Sequence, residues 1–311
     1  MVSKDMMKDV LHVAVLLVLI FALLFMLTWG GVVKCKTIPG WCNIYWGIMG
    51  QPKVLIVYGN EGLGDHLLLK QYMSNPNIIG VTPYLSHVDN VNVGNLKKYD
   101  LVIVEEAREM STEKMRAFID YTMGPTGGRL IWTGDAGTEL GPGDEMLYAD
   151  EKTEGAEHTA LGPWARKQGE DIISLDNLLS VKYVGNYCEM KNCVPDAEGK
   201  IYVGTLIPEP SRSDPLIEGF ASSRTLSIVP EEDFGLVKAL SGTLTEEVLS
   251  VTYGSNIYTL DGDLIGSSSP MIVKSGVGGK IAYYAMPPEY YVKNNEYMLI
   301  LENMYYGMLW G

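Results

Sequence analysis

The sequence predicts an α/β fold in which a mainly parallel sheet carries helices on both faces and a β-rich insertion, preceded by one transmembrane helix. Three observations predict this fold. An uncharged apolar run stands near the N-terminus, apolar strand-like runs then alternate with amphipathic segments, and short strand-like runs separated by turn residues follow. The chain has 311 residues, of which 47% are hydrophobic, and this is enough for a sizeable core.

The first element is the run from 10 to 33, in which 24 residues pass without a formal charge. As a helix it would be about 36 Å long, which exceeds a hydrocarbon core of about 30 Å. Trp29 and Lys34 lie at its end as at a membrane interface, in place of a signal-peptide cleavage site. We therefore expect a cytoplasmic segment 1–9, an anchor that crosses the lipid bilayer through residues 10–33, and a juxtamembrane connector at 34–52.

The four cysteines form two close pairs, Cys35 with Cys42 and Cys188 with Cys193. Even, locally paired cysteines are typical of small disulfide loops in an oxidising compartment. Free thiols and a four-thiolate zinc site remain alternatives, although neither pair has the CxxC spacing of zinc sites. Lysines on both sides of the anchor leave the positive-inside rule without a clear orientation. The disulfide interpretation predicts a single-pass protein of the cell membrane with its C-terminal domain outside the cytoplasm.

The remaining chain, 53–311, alternates strand and helix signals before a β-rich part at 138–275. Apolar strands of this kind, alternating with amphipathic helices, predict a flavodoxin-like or Rossmann-like sheet that is covered on both faces. The strand-like runs are 53–58, 99–106 and 127–134, and the helix-like runs lie near 65–73 and 112–123. A strand and a helix return at the C-terminal end.

The glycine-rich turn after the first strand, "GNEGLGD" at 59–65, has the order G-x-x-G-x-G. This is neither the dinucleotide order G-x-G-x-x-G nor a P-loop, and no lysine closes it. Glu61 and Asp65 add negative charge where a phosphate would approach, whereas Asp65 can cap the following helix. The turn is therefore interpreted as a tight turn with a helix cap, with a polar ligand or a phosphate as alternatives.

Acidic residues follow three of the predicted strands. In open α/β sheets ligands bind at the carboxyl ends of the strands, so these side chains are the candidate ligand-binding residues. Converging carboxylates suit Mg²⁺ or Ca²⁺, but no metal-binding motif accompanies them, and we expect neither a metal nor a cofactor. Solvated or helix-capping acids are the simpler interpretation. The candidates are Glu61, Asp65, Glu105, Glu106, Asp135 and Glu139.

Four segments in order resemble the class I glutamine amidotransferase-like superfamily, and within it the non-amidotransferase branches related to trehalose-utilisation-type domains. They are "YDLVIVEEAREMSTEKMRAFIDYT", "GGRLIWTGDAGTE", "SDPLIEGF" and "GVGGKIAYYAMPPEYY". In the enzymes a cysteine occupies a sharp elbow with the pattern G-x-C-x-G. Here the corresponding elbow is "TGDAG", and the resemblance places Asp135 at the position of the nucleophile.

The missing thiol implies that the domain is not a glutamine amidotransferase, because thiolate attack needs a cysteine with a base in reach. We expect a non-catalytic domain that acts in the binding or assembly of a membrane or envelope complex, with other membrane or envelope proteins as partners. The net charge of −14 argues against nucleic acid. The alternative is a membrane-tethered hydrolase or carbohydrate-acting enzyme, which would need a pocket that joins Glu61, Glu106 and Asp135.

Overall fold

The computed structural model describes residues 4–29, 33, 38, 40–123, 127–144, 162–168, 171–209, 214–220, 222–240, 245–276 and 278–310. The chain divides into two units, of which one comprises residues 1–51 with the last two residues and the other comprises 52–309. Each unit is described by itself.

Within its described residues, the smaller unit contains two helices, α1 (Lys4–Trp29) and α2 (Trp41–Met49). The part of α1 from Lys8 to Trp29 contains an 18-residue window with a mean hydropathy of 3.1, and none of that window is buried. By length and composition, this helix can therefore cross a membrane.

The predicted connector contains α2, whose aromatic side chains pack on α1. Trp41 and Tyr45 are buried with Leu24 and Phe25 around them. The indole N–H of Trp41 donates to Thr28 Oγ1 at 2.8 Å, which satisfies both polar groups inside an apolar contact. The apolar faces of α1 and α2 thus cover each other.

The larger unit contains seven further helices and fifteen strands among the described residues. The helices are α3 (His66–Ser74), α4 (Val93–Leu96), α5 (Thr112–Thr122), α6 (Asp176–Leu179), α7 (Tyr187–Met190), α8 (Pro288–Asn295) and α9 (Met298–Trp310). The strands are β1 (Val54–Tyr58), β2 (Tyr84–His87), β3 (Leu101–Val104), β4 (Glu109–Met110), β5 (Arg129–Thr133), β6 (Glu139–Leu140), β7 (Ala165–Gln168), β8 (Asp171–Ser174), β9 (Val181–Asn186), β10 (Ile201–Pro208), β11 (Arg224–Ile228), β12 (Gly235–Ala239), β13 (Glu246–Tyr258), β14 (Leu264–Ser275) and β15 (Ile281–Tyr284).

One sheet of nine strands forms the centre of this unit, in the order β11-β10-β13-β14-β15-β5-β3-β1-β2. From β15 to β2 every neighbouring pair is parallel, and from β15 to β11 every pair is antiparallel. The prediction of an α/β fold with a parallel sheet is confirmed for the first half. The β-rich insertion extends the same sheet in antiparallel fashion, because hairpins such as β13–β14 need no crossover helix.

The helices cover both faces of the parallel half. Strand β2 lies on one side of β1, whereas β3 and β5 lie on the other. Right-handed crossovers therefore place α3, which links β1 to β2, on the face opposite α5, which links β3 to β5. The contacts agree, since α3 meets α8 whereas α4 meets α5. Strands β1, β3, β5 and β15, covered on both faces, are buried along nearly their whole length, as their continuous apolar sequences predict.

The predicted bond between Cys188 and Cys193 is present, with Cα atoms 5.1 Å apart. It closes a short loop that begins in α7. The predicted bond between Cys35 and Cys42 cannot be described, because Cys35 lies outside the described residues.

Peptide mapping of the non-reduced, alkylated protein should recover one cross-linked pair that contains Cys188 and Cys193. Replacing both residues with serine should lower the free energy of unfolding by about 2 kcal/mol, since a loop this short restrains the unfolded chain only modestly. Recovery of both residues as freely alkylated thiols from the native protein would contradict the bond.

Candidate functional site

Asp135 lies in the turn after β5, and its side chain is only 1% exposed. Its Oδ1 accepts the backbone N–H of Leu63 at 2.7 Å, and its Oδ2 accepts Arg108 Nε–H at 2.6 Å and Asn186 Nδ2–H at 3.3 Å. A buried carboxylate is stable only when it is paired and hydrogen-bonded, and here both conditions are met. Asp135 thus joins the turn after β1, the loop after β3 and the end of β9.

Two neighbours hold the partners of Asp135 in place. Burial, reinforced by the charge of Asp135, raises the pKa of Tyr183, so its hydroxyl stays protonated. That hydroxyl donates to Asn186 Oδ1 at 2.7 Å, which directs the amide nitrogen of Asn186 towards Asp135. On the outer side, Glu139 lies 3.7 Å from Arg108 Nη1 and is half exposed.

The glycine-rich turn packs directly on the loop after β3. A Cβ on Gly59 would lie 2.9 Å from Ala107 Cα, and one on Gly62 would lie 2.9 Å from the backbone nitrogen of Arg108. The positive φ of Gly62, 130°, adds a second reason for glycine. Close approach of the two loops therefore explains these glycines without any phosphate.

The N–H groups of this turn are directed at side chains of the same chain. Besides the bond from Leu63 to Asp135, Gly64 N–H donates to Tyr290 Oη at 3.2 Å and Asp65 N–H donates to Glu289 Oε1 at 2.8 Å. Phosphate-binding loops present successive N–H groups to an external anion. In this chain internal acceptors occupy the equivalent groups, which favours the structural interpretation of the turn.

The predicted helix cap is confirmed. Asp65 is the N-cap of α3, and its Oδ1 accepts the N–H groups of Leu67 at 3.1 Å and Leu68 at 2.9 Å. The carboxylate thus satisfies two of the N–H groups that a helix start leaves without partners.

Glu105 and Glu289 form a buried carboxyl pair beneath the turn, and both are fully buried. Within the described part of the chain, neither carboxyl oxygen of Glu105 has a hydrogen-bond partner. Burial, then the charges of Glu289, Glu106 and Asp65, raise the pKa of Glu105 well above its usual range. Burial also raises the pKa of Glu289, to about 8. Burial and the repulsion between two adjacent carboxylates both disfavour the charged forms, so the raised pKa values favour a protonated pair.

Glu106 follows Glu105 and has a positive φ of 50°, which is uncommon for a residue with a side chain. Its N–H donates to the carbonyl of Leu63 at 2.8 Å, and its carbonyl accepts Gly59 N–H at 2.9 Å. Its carboxylate accepts His66 Nδ1–H at 2.6 Å. The imidazole of His66 lies flat on Tyr58, with ring centroids 3.9 Å apart.

The His66–Glu106 pair stands between the carboxyl ends of β1 and β3, where the strand order reverses. This is the position at which open α/β sheets bind ligands. The hydrogen bond to Glu106 leaves His66 Nε2 as an acceptor, and it has no protein partner in the part of the chain that the structure describes. His66 is therefore the group best placed to act on a ligand at this edge.

Among solved structures, the chain is similar to a ThuA-like protein from Bacteroides uniformis, with 14% identity, a TM-score of 0.50, and coverage of 82% of this chain and 90% of that chain. The two share a fold. A β-galactosidase from Rahnella sp. R3 also matches, at 13% identity and a TM-score of 0.48, over 83% of this chain and 31% of that chain. No protein-family model matches the sequence, and no curated protein matches it.

In this ThuA-like fold the six predicted acids occupy one edge of the sheet but make separate contacts. Asp135 pairs with Arg108 and Glu106 with His66, whereas Glu105 is sealed beneath the turn. Glu61 is exposed on the turn. No group of three or more possible metal ligands occurs among the described residues.

Sequence reasoning missed the residues that complete this edge: Arg108, Asn186, His66 and Glu289. The last two carry a weak signal, since His66 directly follows the capping aspartate and Glu289 follows two prolines at a helix start. Asn186 has no such signal, because it reaches Asp135 from the insertion.

Replacing Asp135 with asparagine should lower the free energy of unfolding by about 2–3 kcal/mol, because the amide cannot accept from all three donors and leaves Arg108 without its charge partner. Unfolding in urea can be followed by the fluorescence of Trp132 and Trp164, whose indole N–H groups both donate to the carbonyl of Ala136, each at 2.8 Å.

The matched control is Glu139→Gln, which removes the exposed partner of the same arginine and should cost less than about 1 kcal/mol. Equal effects of the two substitutions would show that Asp135 does not hold the three segments together.

Stability should fall as the pH rises from about 4.5 to about 8. The folded pKa of Glu289 is raised above its unfolded value, so the folded state binds more protons in this window, and its stabilisation is full below the window and lost above it. Glu289→Gln should flatten this decline, because the amide accepts from Asp65 N–H and donates to Glu105 without titrating. Urea unfolding at pH 5 to 9 measures the difference.

The control for the titration is Glu61→Gln, on the exposed turn, which should keep the wild-type pH dependence. A Glu289→Gln protein whose stability declines as steeply as that of the wild type would exclude a protonated pair.

Proposed function

We propose that the chain is a membrane-anchored, extracytoplasmic domain of flavodoxin-like, amidotransferase-like fold that has no amidotransferase activity and serves in the binding or assembly of a membrane or envelope complex. The observation that carries this proposal is the state of Asp135. At the elbow of the amidotransferase-like sheet it is buried and bonded to three donors of its own chain. A side chain so engaged acts as a structural anchor rather than as a nucleophile.

The cysteines support the same conclusion. Cys188 and Cys193 are joined to each other, so neither supplies the thiolate that glutamine hydrolysis requires. A disulfide also favours an oxidising compartment, which for a single-pass protein means that the larger unit lies outside the cytoplasm. Helix α1 supplies the apolar length for the anchor.

A second candidate function rests on the His66–Glu106 pair. An imidazole whose Nδ1–H is held by a carboxylate presents a basic Nε2, as in hydrolases where it takes a proton from water or a hydroxyl. This arrangement favours a hydrolase that uses the edge between β1 and β3, with Glu106 as the positioning residue.

The test compares the full chain with a chain that lacks residues 1–51, both tagged and expressed in native membranes. Truncation after residue 51 is preferable to truncation after 33, because α2 would otherwise lose the helix that covers Trp41 and Tyr45. The truncated chain should be released by a carbonate wash and remain folded. The full chain should purify in mild detergent with another membrane protein at a fixed ratio.

Retention of the truncated chain in the washed membrane would show a second attachment and contradict the single anchor. The second candidate would replace assembly if the full chain purifies alone and has a hydrolytic activity that His66→Ala abolishes. The control Glu113→Gln, at a largely exposed position in α5, should retain that activity.

A further inference from the structure

A cavity of about 250 Å³ lies between strands β1 and β2 and the segment 90–99 that leads into β3. Its apolar wall comes from Leu55, Leu85 and Leu96, one from each of β1, β2 and α4. The cavity is distinct from the acidic edge described above, since none of the six acids lines it. Its volume is just below the range of about 300–1,000 Å³ typical of ligand sites, which suits a small molecule.

The polar wall of the cavity consists of Ser86, Asn90, Asn95, Lys98 and Tyr99, which offer both donors and acceptors. Asn95 Oδ1 accepts Lys98 Nζ–H at 2.8 Å, and this bond leaves the amide N–H groups of Asn95 and two ammonium protons of Lys98 without a protein acceptor among the described residues. Tyr99 also lines the cavity, and its hydroxyl has no hydrogen bond within the same part of the chain. Asn95 and Lys98, both exposed to solvent, therefore offer free donors to a ligand that carries acceptor oxygens.

Among the described residues that line the cavity, the one charged group is an ammonium, although the chain as a whole carries −14. Lys98 contributes one ammonium group to the wall, and Lys114 Nζ donates at 3.0 Å to the carbonyl of Val91, another lining residue. Three carboxylates lie nearby. Asp100 accepts the backbone N–H of Lys53 at 2.8 Å, Glu113 lies 4.0 Å from Lys114 and is largely exposed, and Asp89 lies 3.1 Å from His87 Nδ1. None of the three lines the cavity, whereas the exposed side chain of Lys98 does.

We propose that this cavity binds a small oxyanion, the carboxylate or phosphate group of a small molecule. The ammonium of Lys98 and the amide of Asn95 donate to its oxygens, and Tyr99 supplies a further hydroxyl donor. Charge-assisted bonds of this kind are about twice as strong as neutral ones, and they select an anion over a neutral polyol of the same size. The leucine wall holds the short apolar part of the ligand.

The experiment titrates the full chain, in detergent, with sodium acetate and separately with sodium phosphate, while sodium chloride keeps the ionic strength constant. Binding is followed by NMR or calorimetry, and glucose serves as the neutral probe. At least one oxyanion should bind saturably, and the better of the two identifies the group as carboxylate or phosphate. Glucose should not saturate the site.

Lys98→Met should weaken oxyanion binding at least tenfold, because it removes the charged donor. The matched control is Lys97→Met, which removes the same charge from an exposed neighbour that does not line the cavity, and it should change affinity less than about twofold. A second variant, Asn95→Asp, keeps an acceptor for Lys98 but replaces the amide donor by a negative charge, so it should abolish binding in a folded protein.

Equal weakening by Lys98→Met and Lys97→Met would show a diffuse charge effect and overturn the proposal. So would the absence of saturation with either oxyanion, saturation by glucose alone, or unchanged binding by a folded Asn95→Asp protein.

Discussion

The buried carboxylate of Asp135 is the interaction on which the arrangement of the sheet edge depends. It lies where three separate parts of the chain meet, and each part contributes one donor: the backbone of Leu63, the guanidinium of Arg108 and the amide of Asn186. A charge that is so poorly solvated is stable only when all its partners are present. Each partner is in turn held in place by its bond to the charge. The turn after β1, the loop after β3 and the insertion are therefore each held in position by the same side chain.

The same principle explains how the glycine-rich turn is used. Its backbone N–H groups form the kind of concave donor surface that binds phosphate in other α/β proteins. Here Asp135, Glu289 and Tyr290 supply the acceptors from within the fold. Beneath the turn, Glu105 and Glu289 are fully buried, and burial raises the pKa of both carboxyls.

Much of the fold could be predicted from the sequence because its signals are local. The apolar runs that became β1, β3 and β5 lie close to their expected bounds, as do α3 and α5. Strand β2 was missed, because its sequence "YLSH" sits at the sheet edge and lacks an apolar pattern. The site was predicted less well. The acids at the strand ends were found, but their partners Arg108 and Asn186 were not, since they are 27 and 51 residues from Asp135.

The sequence by itself determined the apolar helix near the N-terminus, the alternation of strands and helices, the pairing of Cys188 with Cys193 and the absence of a thiol at the elbow. Each of these follows from residues that are close together in the chain. Only the tertiary structure decided what the acids do: Asp135 became an ion pair, Glu105 a buried carboxyl with a raised pKa and Glu106 the partner of a histidine. Whether a carboxylate is charged, shared or exposed depends on its burial and on donors from distant segments, and the sequence around it specifies neither.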